Sequence, residues 1–117
     1  DRSVSRGLGD VYKRQVYNYS DMFFERAICN ISNKVKAQFY NEFKDKFNNF
    51  DDEMLNTIEE FISCDLNISE AAKNLYIHRN TLIYRLDKIA KDTGYDIRNF
   101  RQAATFTIAF LIWKELK

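Results

Sequence analysis

Residues 67–94 read NISEAAKNLYIHRNTLIYRLDKIAKDTG, and the way this stretch divides decides the fold. Ser69 suits the N-cap of a short helix from about Glu70 to Leu75 or Tyr76, its hydroxyl free to accept an unpaired amide of the first turn. Ala71 and Ala72 are small residues back to back, which lets a second helix cross closely. Leu75 and Ile77 are apolar plugs on either side of a turn. A longer helix then opens near residues 78–80 and runs to about Thr93, with Leu82, Leu86 and Ile89 spaced as one inward stripe. Gly94 supplies the left-handed residue that ends it. Short helix, turn of three or four residues, longer helix: this is the pattern of a helix-turn-helix.

The rest of the chain agrees. There is no proline among the 117 residues, and beyond residue 10 the only glycine is Gly94. A sheet of short strands needs many tight turns, whereas helix interiors exclude both residue types. The expected fold class is therefore all-α, a small bundle of about six helices containing the helix-turn-helix. Met22, Phe23, Ala27, Ile28 and Ile31 mark a helix from about Ser20 to Ile31. Val35, Phe39, Phe43 and Phe47 step by four along a second, from Asn33 to about Phe47, and read as a core stripe. A third starts at Asp51 or Asp52, with Met54, Leu55, Ile58, Phe61 and Ile62 on its apolar side. A last helix begins between Asp96 and Asn99 and is apolar nearly all round from Phe106 to Trp113. Such a helix must be buried, either as the centre of the bundle or by sharing a face with a second copy of the chain.

Three regions follow. Residues 1–15 carry two glycines and four basic residues but no sustained helical period. They resemble a tag-like, non-native tail more than a basic DNA-binding arm. Residues 16–50 hold N-terminal helices, expected to pack on or link to a further region. Residues 51–117 form the helix-turn-helix domain.

Charge is laid out unevenly. The total is only +1, but six acids and no Lys or Arg lie between Asp51 and Asp65, read as a solvated acidic face. In residues 67–91, Lys73, Arg79, Arg85, Lys88 and Lys91 face only Glu70 and Asp87, a local excess of +3. On a helical wheel Asn80, Thr81, Tyr84, Lys88 and Lys91 fall opposite the Leu82/Leu86/Ile89 stripe, while His78 and Arg79 sit at the amino tip. A major-groove reader needs this arrangement: short donors and acceptors at the tip for base edges, basic and hydroxyl groups along the flanks, Lys88 included, for phosphates. Arg pairs two-fold with guanine and Asn with adenine.

The run from Leu66 to Ala103 closely resembles the C-terminal helix-turn-helix of the PucR/CdaR class of bacterial transcription regulators. The matching core is NxSExAxxLxIHRNTLxYRLxKIxxxTGxDxRN, at Asn67 to Asn99. The tip is also similar to the Fis-type helix-turn-helix, through Ile77, Arg79, Thr81 and Leu82; Tyr84 stands where that type often has a basic residue. The resemblance implies double-stranded DNA as partner, with His78, Arg79 and Asn80 at bases and Asn67, Ser69, Thr81, Tyr84 and Arg85 at the backbone. Arg85 leans inward on the wheel, so pairing with an acid of the first or third helix is the alternative for it. The resemblance further implies regulation of sugar-diacid, purine or related catabolism genes and an inducer bound only in an N-terminal sensory region not present in this chain. A homodimer is expected because a single such module buries too small an interface for specificity alone. The dimer contact is expected on the Phe106–Trp113 helix, helped by Phe39, Phe43 and Phe47.

Other classes find little support. One His and no paired nucleophile and base leave no parts for catalysis, so no enzyme, no cofactor and no metal centre are expected. Two Cys, Cys29 and Cys64, make no disulfide framework. No stretch reaches the roughly 18 apolar residues of a membrane span and no signal peptide is visible, which fits a cytoplasmic protein. The competing reading is a protein–protein interaction or dimerisation module whose helix-turn-helix does not read DNA. The intact polar run His78–Thr81 argues for the reader.

Overall fold

The computed structural model describes residues 19–117, with side chains from residue 23 onward. The tail at 1–15 lies outside the described residues. The chain divides into two units, Asp1–Ser32 and Asn33–Lys117. In the first, α1 spans Tyr19–Cys29, and the Asn30 side chain closes its end, Nδ2 donating to the Arg26 carbonyl at 2.8 Å.

The second unit holds five helices: α2 (Asn33–Asn48), α3 (Asp52–Ser63), α4 (Ile68–Leu75), α5 (Arg79–Thr93) and α6 (Phe100–Leu116). The described residues thus form six helices and no strand. The Asp51 carboxylate accepts the Met54 amide at 2.8 Å and starts α3, with Asp52 and Glu53 at the positive end of the helix dipole. Helix α4 begins two residues earlier than the Ser69 cap would place it. Asn67 is the cap, its Oδ1 accepting the Glu70 amide at 2.9 Å, and Ser69 lies exposed inside the first turn. Gly94 ends α5 at φ 82° as the sequence predicts.

α2 runs along α6, while α3 packs on α4 and α5, and α4 on α5. One core joins them, from Phe43 and Phe47 of α2 through Ile58 and Phe61 of α3 to Leu82, Leu86 and Ile89 of α5 and Phe106, Phe110 and Trp113 of α6. Phe47 is its hub. It meets Phe106 edge-on at 5.2 Å and stands 5.5 Å from both Phe43 and Phe110. The aromatic stripe of α2 is thus core at Phe43 and Phe47 and half-buried at Phe39, while Val35 stays exposed. Because α2 shares this core, the unit around the helix-turn-helix starts at Asn33, ahead of the sequence boundary at residue 51.

The same packing uses the inner side of the expected dimer helix, while Ile108 and Leu111 on its other side stay half-buried. Phe106, Phe110 and Trp113 are buried within the chain, and Trp113 also donates its indole N–H to Asn48 Oδ1 at 3.1 Å. The acidic run of α3 is not a purely solvated face either. Glu53 pairs with Arg85 and Glu59 with Lys114, and Glu60 is buried, accepting from Asn74 Nδ2 at 3.0 Å and from the Cys64 thiol. A buried carboxylate requires such donors, and these tie α3 to α4.

Ala71 and Ala72 are buried where α4 meets its neighbours. Ala72→Leu is therefore expected to destabilise the domain by about 1–3 kcal/mol through overpacking. Ala90→Leu, at a half-buried position, should be milder. Thermal melts check this, and equal midpoints for the unsubstituted chain and Ala72→Leu would refute the close crossing.

Candidate nucleic-acid interface

Three residues, Tyr76, Ile77 and His78, join α4 to α5. Tyr76 takes the left-handed conformation at φ 57°, so that its amide bonds to the Lys73 carbonyl and the Ile77 amide to the Ala72 carbonyl, both at 3.1 Å. This Schellman-type ending satisfies the last carbonyls of α4. Leu75 and Ile77 then turn inward and pack on the core. His78 occupies the N-cap of α5 in extended backbone, and its side chain makes no capping hydrogen bond. The ring is left exposed at the tip.

Leu82, Leu86, Ile89 and Thr93 form the buried side of α5, the Thr93 hydroxyl donating to the Ile89 carbonyl at 2.7 Å. Each fully buried Leu or Ile is worth roughly 1.5–3 kcal/mol, which fixes the rotation of the helix. The opposite side presents Asn80, Thr81, Tyr84, Lys88 and Lys91, all exposed, with Arg79 exposed at the amino end. Tyr84 is 67% exposed and does not pack against the turn. Ser69 on α4 lines a common groove with His78 and Arg79. Asn67 is exposed at the start of α4, its side-chain oxygen engaged in the cap.

Arg85 differs from the expected backbone contact. Its side chain is only 15% exposed and turns to α3, where Nη1 donates to the Thr57 hydroxyl at 2.9 Å and Nη2 lies 3.1 Å from the Glu53 carboxylate. The inward alternative is the one the structure adopts: Arg85 fastens α5 to α3. Lys88 is half exposed and lies 3.2 Å from Asp92 one turn on. An exposed i,i+4 pair of this kind holds weakly, so Lys88 remains open to another anion. Lys73, Arg79 and Lys91 make no ion pair with described residues.

The segment after α5 explains the end of the sequence motif. Asp96 Oδ1 accepts both the backbone amide and the Nε of Arg98, at 3.0 and 2.8 Å. Arg98 also reaches Asp87 of α5 at 2.9 Å. The Arg98 hydrogen bond holds the Asp96 carboxyl below the usual carboxylate range, and the same bond, with Asp87 behind it, pushes the guanidinium up. Asn99 caps α6 by accepting the Arg101 and Gln102 amides. Arg98 thus bridges Asp96 to Asp87 and ties the segment after α5 back to that helix. The local charge balance of the sequence reading changes chiefly at Arg85, which is held by Glu53; the single charge of Arg98 is shared between Asp96 and Asp87 and cancels only one of the two.

Residues 54–112 match the family described as the PucR C-terminal helix-turn-helix domain. The chain is 34% identical over 94 residues to the DNA-binding transcriptional activator AdeR of Bacillus subtilis, covering 77% of this chain and 21% of that protein. It is 41% identical over 49 residues to the purine catabolism regulatory protein of the same organism, covering 42% of this chain and 9% of that protein. With the proline-responsive transcriptional activator PutR, also from B. subtilis, identity is 27% over 104 residues, covering 85% of this chain and 25% of that protein. The chain therefore spans a quarter or less of the length of these relatives. No solved structure matches it. On the family match and the helix-turn-helix that carries it, the chain belongs to the PucR C-terminal helix-turn-helix domains, the DNA-binding part of transcription regulators.

Proposed function

We propose that the domain reads a defined DNA sequence by laying the amino end of α5 in the major groove. The observation that carries this reading is the exposed run His78–Arg79–Asn80–Thr81 at the tip of a helix whose other side is locked into the core. His78, Arg79 and Asn80 contact base edges. Thr81, Tyr84 and Lys88 contact phosphates along the flank, with Asn67 and Ser69 doing so from the start of α4. Arg85 is left out of the contacting set and acts by holding α5 at its angle. AdeR and PutR are named as activators, and the reading extends that role here, in control of catabolic genes of the kind the purine catabolism regulatory protein is named for. An inducer would act through another part of a longer regulator.

A single module of this size contacts a short site, so two copies on an inverted repeat are the functional unit, with recognition helices about 34 Å apart. Since Phe106, Phe110 and Trp113 are used inside the chain, pairing through α6 falls to its half-buried side at Ile108 and Leu111.

The test is a titration of selected duplex DNA at several salt concentrations, with sedimentation of the complex. Log affinity is expected to fall linearly with log salt, by a slope of about −0.9 for each phosphate neutralised. Two chains per duplex are expected at saturation. Salt-independent affinity would contradict the interface. One chain per duplex, on a site without inverted symmetry, would contradict the pairing.

A further inference from the structure

Three residues other than glycine hold positive φ among the described residues: Asp65, Leu66 and Tyr76. The first two have local reasons. Aspartate tolerates the left-handed region, and Leu66 is half-buried and packs on the core. Tyr76 has neither. It occupies the position after a helix that glycine or asparagine normally takes, and its side chain is 81% exposed. A strained backbone under an aromatic ring that the fold does not bury points to a use outside the fold. That ring borders a groove of about 520 Å³, open to solvent, whose wall also includes Ser69, Lys73, His78 and Arg79. Two basic and two hydroxyl-bearing residues, with Ala72 and Ile77 between them, therefore line one groove beside the tip of α5. No acid lines the groove.

We infer that this groove seats a phosphate of the DNA backbone next to the recognised bases, with the Tyr76 hydroxyl donating to a phosphate oxygen and Lys73 supplying the charge. The inference rests on the DNA-reading role proposed above and adds two contacts to it, both from the α4 side of the turn. Phosphate is the ligand that fits, because both charged residues of the wall are cations, no carboxylate lines it and its hydroxyls can donate. The ring supports its hydroxyl from an exposed turn, so the contact fixes the register of α5 without reading sequence.

The whole chain is titrated with a duplex selected from random sequence and with a scrambled duplex of equal length. Tyr76→Gly relieves the left-handed strain, so its melting temperature is expected to rise by about 2–5 °C. Its affinity for both duplexes should nevertheless fall by about tenfold. Tyr76→Phe keeps the ring and should lose a similar factor with an unchanged salt slope, because no counterion is released by a hydroxyl. Lys73→Ala should lower the magnitude of the slope by about one. A Tyr76→Gly or Tyr76→Phe chain that binds as tightly as the unsubstituted one overturns the inference and leaves the reading role standing. A loss of stability in Tyr76→Gly also overturns it, by showing that the ring serves the fold. If the unsubstituted chain binds no duplex, the reading role fails and this inference with it.

Discussion

Phe47→Ala is expected to lower the unfolding free energy by about 3–5 kcal/mol, the range for removing a buried aromatic side chain and leaving a cavity. Phe47 is fully buried and stands between 5.2 and 5.5 Å from the rings of Phe43, Phe106, Phe110 and Trp113. Few neighbours can collapse into the space, because the surrounding rings are held from two helices, α2 and α6. Single domains are stable by only about 5–15 kcal/mol, so the variant should sit near the edge of folding at 37 °C. Urea unfolding followed by the fluorescence of Trp113, the only tryptophan, checks this. The midpoint should fall while the denaturant slope stays constant. A change below about 1 kcal/mol would contradict the placement of α2 in the same core as the helix-turn-helix.

Arg79→Ala is expected to weaken binding to the preferred duplex by roughly 1–3 kcal/mol, about 5- to 150-fold, and to weaken random duplex much less. Arg79 is exposed at the amino end of α5 and forms no ion pair with described residues, so its guanidinium is free to pair with a base edge. Lys88→Ala should behave differently. It should reduce binding to all duplexes by similar factors, and only modestly, since Asp92 already shares its charge. Competition titrations on both duplexes separate the two. Equal losses for Arg79→Ala on preferred and random DNA would remove it from base readout.

Most of the fold is legible because local patterning carries it. The helix spans, the Leu82/Leu86/Ile89 stripe and the Gly94 stop all depend on neighbours within one turn. What escapes depends on partners far along the chain. Arg85 turns inward because Thr57 and Glu53 stand opposite it, 28 and 32 residues earlier. Glu60 looks solvated beside Glu59 until Asn74 of the next helix supplies its donor. The boundary at residue 51 follows a real break at Asn48–Asp51, but Phe47 crosses that break to reach Phe106. The cap shift from Ser69 to Asn67 has a local cause. Both residues favour the position, and only the reach of Asn67 Oδ1 to the Glu70 amide decides between them.

The exposed tip of α5 was readable for the same reason as its buried stripe, since one helical period sets both. Tyr76 was not, because tyrosine carries no preference for the left-handed conformation that puts it on the surface. The family match over residues 54–112 covers the helix-turn-helix but begins after α2. The core stripe of α2 was legible in its four-residue spacing, and what the structure adds is that Phe43 and Phe47 join the core of the helix-turn-helix.

The central claim is that the tip of α5 reads sequence, and the most direct measurement is a ratio. The chain is used to select duplexes from a random pool, and its affinity for the selected duplex is divided by that for random duplex at one fixed salt concentration near 150 mM. A defined sequence and a ratio of about 10³ or more, the lower range for specific readers, are expected. Arg79→Ala should lower that ratio. A pool that yields no preferred sequence, with a ratio near one at a salt concentration where binding is still measurable, would contradict the claim.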